Sequence, residues 1–325
     1  MHAYIDFDNG PVFAIPARDG WHGFAGCEGM LLEGPQGWGE FSPPAAVAGV
    51  RAARYLTAAI EAGTVGWPDP VRGRVAVAVA VPAVEPEPAA AIAATGGCGT
   101  ADVRVARGPG SLDDDIARVA AVRAALGPDA VIRCDAGGAW DVDTAVAAIA
   151  ALDRAAGGLD FVEQPCATLP ELAEVRRRVD VRIAVDESIR DAPDPFGLAL
   201  AEAADVAVLS VNALGGVRRA LRMAENCALP CVVSAEPDSS VGLAGGLALA
   251  GALPELAGAC GLGTAAVLVG DLVSPWRSLI PVDGHLPVAP MPPGPDRDQL
   301  AAFAVRDDER VGRWRERLRS VQDLI

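Results

Sequence analysis

From Arg72 onward, short β-rich runs alternate with Ala-rich helical stretches, and this alternation constrains the fold of the 325-residue chain more than any other feature. Candidate strands lie at 75–81, 102–105, 131–134, 161–163, 183–185, 206–211, 231–234 and, last, 266–269. Between them, segments 113–126, 143–156, 169–179, 195–203, 216–228 and 245–253 carry apolar residues at the three- and four-residue spacing of helices. Asp113, Asp143 and Asp194 or its neighbours are the expected N-caps. Strand and helix in regular alternation is the pattern of parallel βαβ units, and a closed barrel of about 200 residues fits the count and the length. An open doubly wound sheet is the alternative, but no G-x-G-x-x-G follows the first strand to support it.

The first seventy or so residues read differently. Runs 13–16, 28–32 and 37–41 are short antiparallel strands joined by turns rich in Gly and Pro, followed by a helix over 44–62. A Pro-rich stretch from Met291 leads to a charged helix over 308–324. The expected fold class is therefore α/β, a modified TIM barrel with an α+β capping domain built from both termini. The boundaries are 1–72 plus 285–325 for the cap and 73–284 for the barrel.

A barrel's reactive groups project from the carboxyl ends of its strands, and three acids occupy that position in succession. They are Asp135 in IRCDAGG, Glu163 in FVEQP and Asp186 in AVDES, 28 and 23 residues apart, about one βα unit each. Carboxylates converging from neighbouring strands repel one another unless a hard divalent cation such as Mg²⁺, which takes oxygen ligands, sits among them. The competing reading is that each acid caps the following helix or pairs with an arginine.

Composition narrows the partners. A formal charge of −16 disfavours nucleic acid and anionic membrane surfaces, leaving a small molecule as the expected partner. No apolar run reaches membrane-spanning length, and Met1 is followed by His2, Asp6 and Asp8, so a cytoplasmic location is expected. Seven scattered cysteines read as buried free thiols. All 27 cationic side chains are arginine; there is no lysine. Lysine is the basic side chain whose pKa burial lowers enough for general-base or Schiff-base work, so no amine acts here.

The three strand-end acids, Glu163 with its following QP and Asp186 with Glu187 and Ser188, resemble the metal-ligand series of the enolase superfamily, in its muconate-lactonizing branch. The resemblance extends to the o-succinylbenzoate synthases of actinobacterial menaquinone biosynthesis through GWGEFSP at 37–43, DAGGAWDVDTAV at 135–146, VEQPCAT at 162–168, DESIR at 186–190, LGGVRRALR at 214–222 and ACGLGTAA at 259–266. It implies a (β/α)₇β barrel beneath a cap, with Asp135, Glu163 and Asp186 as Mg²⁺ ligands. It also implies removal of a proton α to a carboxylate, with loss of water to form an aromatic ring. Dimers or larger rings are common for such barrels.

In that family the base is the second lysine of a K-x-K on the second strand, faced by a lysine on the sixth. Here the K-x-K reads Asp102-Val103-Arg104, and the sixth-strand lysine reads Ser210. A guanidinium cannot accept a proton near neutral pH, and a serine without an adjacent base is a poor substitute. The D-x-N asparagine is Gly137, and the polar pair expected on the first strand is Ala78 and Ala80. Groups able to stand in for the bases are Asp102, Glu236 in SAEPDSS, and His22 in DGWHGFAG, a cap loop that closes over the site in the family. Arg104 suits an electrophile or carboxylate clamp.

Three readings remain open. In the first, the barrel and metal site serve a repurposed enzyme of lyase, isomerase or cyclase type on a carboxylate-bearing small molecule. In the second, the chain is a catalytically silent relative used for binding or assembly. In the third, it makes o-succinylbenzoate with a substituted base.

Overall fold

The computed structural model describes residues 5–18, 25–106, 112–289 and 291–325. Three antiparallel strands open the chain, β1 (Val12–Pro16), β2 (Gly26–Gly34) and β3 (Gly37–Phe41), in the order β1-β2-β3. Helix α1 (Gly49–Thr64) lies against this sheet at backbone distance: a Cβ on Gly39 would collide with the Ala59 backbone. The approach therefore requires glycine there. Residues 44–48, expected as the first turn of this helix, form a turn and an extended lead-in instead.

Strand β4 (Arg74–Ala76) and then the barrel strands follow, each barrel strand with its helix. The first of these are β5 (Val79–Val81), α2 (Pro86–Ala93), β6 (Thr100–Arg104), α3 (Leu112–Leu126), β7 (Val131–Asp135) and α4 (Val142–Ala156). Then come β8 (Phe161–Glu163), α5 (Leu169–Arg176), β9 (Arg182–Val185), α6 (Glu187–Arg190), β10 (Val206–Leu209), α7 (Val211–Leu214), α8 (Val217–Cys227), β11 (Cys231–Val233) and α9 (Ser240–Ala252). Strands β5 to β11 form one parallel sheet in sequential order. The chain ends with β12 (His285–Pro287), α10 (Arg297–Phe303) and α11 (Asp308–Gln322).

Alternation along the strands builds two cores. Ala101, Val103, Ile132, Cys134, Val162, Ile183, Val185, Ala207, Leu209 and Val233 face the helices in one continuous cluster. Phe161, Ala184, Val206, Val208 and Val232 fill the interior as a separate one. Arg133 is fully buried with them, its guanidinium 4.5 Å from the Phe161 ring centroid, 2.9 Å from Asp160 Oδ2, and donating to the Ala259 carbonyl at 2.6 Å.

Barrel closure corrects the expected eighth strand. Cys260 and Gly261 close the sheet: Cys260 N donates to Ala76 O and Gly261 N to Val233 O, both at 2.8 Å, while Ala78 N donates to Cys260 O at 2.9 Å. The 266–269 run lies instead at the edge of the cap, where Leu268 bridges Ala17. The 75–81 run is divided too, because β4 pairs antiparallel with β12 while β5 joins the barrel beside β6. Segment 195–203 forms two short 3₁₀ turns, with Asp194 capping the first. Helix α4 is capped by Asp141, not Asp143, and Asp113 lies inside α3.

Both ends of the chain pack together. Trp314, Leu318 and Val321 of α11 share a core with Tyr55 and Leu56 of α1 and with Phe41, whose ring meets Trp314 edge-on at 6.1 Å. Glu28 accepts from Arg310 and from Trp314 Nε1 at 2.7 and 2.6 Å. All seven cysteines are free and buried. No helix among the described residues is long and apolar enough to cross a membrane.

Candidate active site

Strands β7, β8 and β9 are neighbours, and their register sets Asp135 opposite Glu163, with Glu163 opposite Ala184 two residues before Asp186. The strand-end acids therefore converge. Glu187, the first residue of α6, joins them, and carboxylate oxygens of Glu163, Asp186 and Glu187 lie within 4.8 Å of one another. Burial, followed by the charges of Asp135, Asp186 and Glu187, pushes Glu163 well above the usual carboxylate range. Burial likewise raises Asp186, and burial with Asp186 and Asp135 brings Glu187 to about 7.

Two arginines bracket this acidity. Arg104, the residue after Val103 on β6, places its guanidinium on Asp135 Oδ2. Burial opposes its charge, but Asp135, Glu163, Glu187 and Asp186 outweigh that and hold its pKa above the ordinary value. On the other side Arg190 reaches Glu187 at 2.9 Å, Glu236 at 3.5 Å and Asp186 at 3.6 Å, and Asp186 is the chief reason its pKa is raised. Two carboxylate oxygens are left buried without a hydrogen-bond partner among the described residues, Asp135 Oδ1 and Glu187 Oε2. Unpartnered hard oxygen donors beside a three-carboxylate cluster fit a divalent cation.

The other sequence-predicted residues fall into different places. Asp102 lies inside the barrel, 3.8 Å from Arg133 Nη1, and burial raises its pKa against the pull of Arg133. A Cβ on Gly261 would stand 3.5 Å from Asp102 Oδ2 and 3.0 Å from Ser234 Oγ, so the closing strand passes directly over it. Ser210 is buried at the end of β10, and its hydroxyl makes no cap hydrogen bond. Glu236 faces the cap: Tyr55 Oη of α1 donates to it at 3.1 Å, and burial raises its pKa. Gly137 adopts φ +55°, a left-handed conformation that suits glycine. His22 lies outside the described residues.

Sequence reasoning did not assign Arg190 or Tyr55 to the site, and it placed Glu187 beside Asp186 in the ligand series without making it a ligand. The signal for Glu187 and Arg190 was their place in DESIR, beside and one helical turn after Asp186. A second buried acid pair also escaped it. Glu40 of β3 and Asp238 meet at the cap–barrel contact, with Cys27 beside them. Ser42 Oγ lies 2.9 Å from Glu40 Oε1 and 3.3 Å from Asp238 Oδ1, Asn212 Nδ2 donates to Asp238 at 2.9 Å, and Ser239 Oγ donates to Glu40.

Comparison with known proteins agrees with this architecture. Residues 87–294 match a family described as enolase C-terminal domain-like, and residues 12–63 match the enolase N-terminal domain-like family. The chain belongs to the enolase superfamily. Within it, the chain is 57% identical over 279 residues to the o-succinylbenzoate synthase of Thermobifida fusca, covering 86% of this chain and 87% of that protein. It is 47% identical over 315 residues to that of Mycolicibacterium smegmatis, covering 97% and 95%. Among solved structures it resembles a muconate lactonizing enzyme from Pseudomonas fluorescens complexed with muconolactone (TM-score 0.77, 20% identity, 93% and 98% covered). It likewise resembles the L-Ala-D/L-Glu epimerase of Bacillus subtilis (TM-score 0.75, 20% identity, 90% and 99% covered). At that identity the structural likeness concerns the fold.

Proposed function

We propose that this chain is an o-succinylbenzoate-synthase-like enzyme of lyase or isomerase type, repurposed to move a proton on a carboxylate-bearing small molecule without lysine. The observation that carries this reading is the acid cluster with its two unpartnered oxygens, kept intact beside an arginine where the family has a base. Glu163, Asp186 and Glu187, with Asp135 beside them, would hold Mg²⁺, which when bound stabilises negative charge developing on a substrate carboxylate. Arg104, fixed in charge and half-exposed at the mouth, orients that carboxylate through its fork of donors. Glu236, raised by burial and held by Tyr55 and Arg190, is the proton-transferring carboxyl on the cap side, and Asp102 is its counterpart within the barrel. The same reading divides the chain into a cap of 1–72 plus 285–325 over a barrel of 73–284, working in the cytoplasm and assembling as a homo-oligomer.

Thermal denaturation with and without millimolar Mg²⁺ tests the metal site. A rise in Tm that Glu163→Gln abolishes is expected; no rise favours the silent relative. Formation of o-succinylbenzoate is the second readout. None is expected from the purified, Mg²⁺-loaded protein, and turnover comparable to that of the Thermobifida fusca relative would replace repurposing with the same reaction run on a substituted base.

A further inference from the structure

We propose that Arg219 and Arg222 of α8, backed by Arg54 of α1, form an oxyanion site facing the 195–197 turn that takes a phosphate group, separate from the acid cluster. The chain carries 43 acids against 27 arginines, so an arginine group without carboxylate partners is out of keeping with its composition. Arg54 is 4% exposed; its Nη2 donates to the carbonyls of Ala192 and Pro193 at 2.9 and 2.6 Å, while Nε and Nη1 have no partner among the described residues. Arg219 Nε is likewise buried and unpartnered, its guanidinium 5.4 Å from the Phe196 ring centroid. A left-handed glycine brings the two together: a Cβ on Gly215 would lie 3.5 Å from Arg219 Cδ and 3.6 Å from Arg54 Cβ.

Positive charge is thus stacked in depth. Burial and then the charges of Arg219 and Arg51 lower the Arg54 pKa, with Asp194 opposing. Arg51 is already engaged by Asp191. Neither Arg219 nor Arg222 makes an ion pair among the described residues, although Glu225 stands one helical turn beyond Arg222. Both line an open cavity of about 600 Å³ with Phe196, Glu225 and Asn226. An oxyanion there meets two guanidinium forks without a carboxylate ion pair among the described residues, while Arg54, buried and outside the cavity lining, contributes field. A phosphate group answers this arrangement better than a carboxylate because it brings up to two charges and oxygens facing both forks.

The test uses the full chain without divalent metal, in EDTA, so that metal–phosphate chemistry at the acid cluster cannot contribute. Inorganic phosphate raises Tm by about 2–4 °C over sodium chloride of equal ionic strength. The double variant Arg219→Gln/Arg222→Gln loses this response but keeps the wild-type Tm in chloride and its Mg²⁺ response. Phenyl phosphate binding more tightly than inorganic phosphate in titration calorimetry supports an organic phosphomonoester, and the reverse order supports free phosphate. An equal rise in chloride, a response retained by the double variant, or benzoate matching phosphate would each overturn the proposal.

Discussion

Arg104 decides more about this molecule than any other single residue. The resemblance read from the sequence sets it where the family is expected to carry its base, and its guanidinium lies on Asp135, among four acids that repel one another. Substituting Arg104→Gln removes that compensation. Because the arginine side chain is 44% exposed, solvent screens the pair, and metal-free stability should fall by only about 1 kcal/mol. The Mg²⁺-dependent rise in Tm should then exceed that of the wild type, since a cation gains a carboxylate it no longer shares; melts of both proteins with and without Mg²⁺ check this. Restoring lysines at Arg104 and Ser210 together should still yield no o-succinylbenzoate in a product assay, because Ala78, Ala80 and Gly137 stand where the resemblance implies polar groups. Asp135, Glu163 and Asp186 were legible from sequence because strand-end position and βα spacing are local properties. Tyr55 on Glu236, and Glu40 beside Asp238, were not, since each pair is more than 180 residues apart in the chain and meets only once the cap docks.

Elements were legible where periodicity and burial agreed. Helices α3 and α4 and strand β8 fall within a residue or so of their expected bounds, because a helix in this barrel shows one face to the sheet and carries the matching stripe. The closing strand was misplaced for a physical reason: Cys260–Gly261 needs only a few backbone hydrogen bonds and a glycine that clears Asp102 and Ser234, so it shows no β-branched run. The run at 266–269 does, but it serves the edge of the cap. Docking of cap on barrel rests partly on one helix terminus. Glu61 of α1 accepts from Val217 N at 2.5 Å, Arg218 N at 3.2 Å and Arg218 Nη1 at 3.0 Å, capping α8 from another element. Gly216, at φ +119°, leaves room for it; a Cβ there would overlap Glu61 Oε2. Glu61→Ala should cost about 1–2 kcal/mol, the loss of a cap and of a charge at a helix N-terminus. Glu61→Gln, which keeps an acceptor, should fall between it and the wild type in denaturant melts.

At the scale of the whole molecule, the two units meet across buried carboxyls, and this gives stability a definite dependence on pH. Glu40 and Asp238 are 3% and 2% exposed. Burial raises both pKa values; hydrogen bonds from Ser239 and Ser42 oppose it at Glu40, and the charge of Glu40 adds to it at Asp238. Proton counting points the same way. The single hydroxyl proton of Ser42 cannot serve Glu40 Oε1 and Asp238 Oδ1 together, so both contacts are satisfied only when one carboxyl is protonated and donates to Ser42 Oγ. A carboxyl raised on folding binds a proton more tightly in the native state than in the unfolded one. Its stabilising contribution is complete below the ordinary carboxylate range and is lost as pH rises through the raised native value. Tm should therefore fall on the alkaline side. Glu163, Asp186, Glu236 and Asp102 are raised as well and add to the slope with the same sign, so the pair is isolated by difference. In Asp238→Asn the amide supplies the missing proton to Ser42 and its oxygen still accepts from Asn212. That variant should match the wild type near pH 4 and exceed it by about 1–2 kcal/mol at pH 8, whereas Asp238→Ala, which leaves Asn212 Nδ2 without its acceptor, should be less stable at both. Melts across that range decide it, and parallel curves for Asp238→Asn and the wild type would show that the pair carries no shared proton.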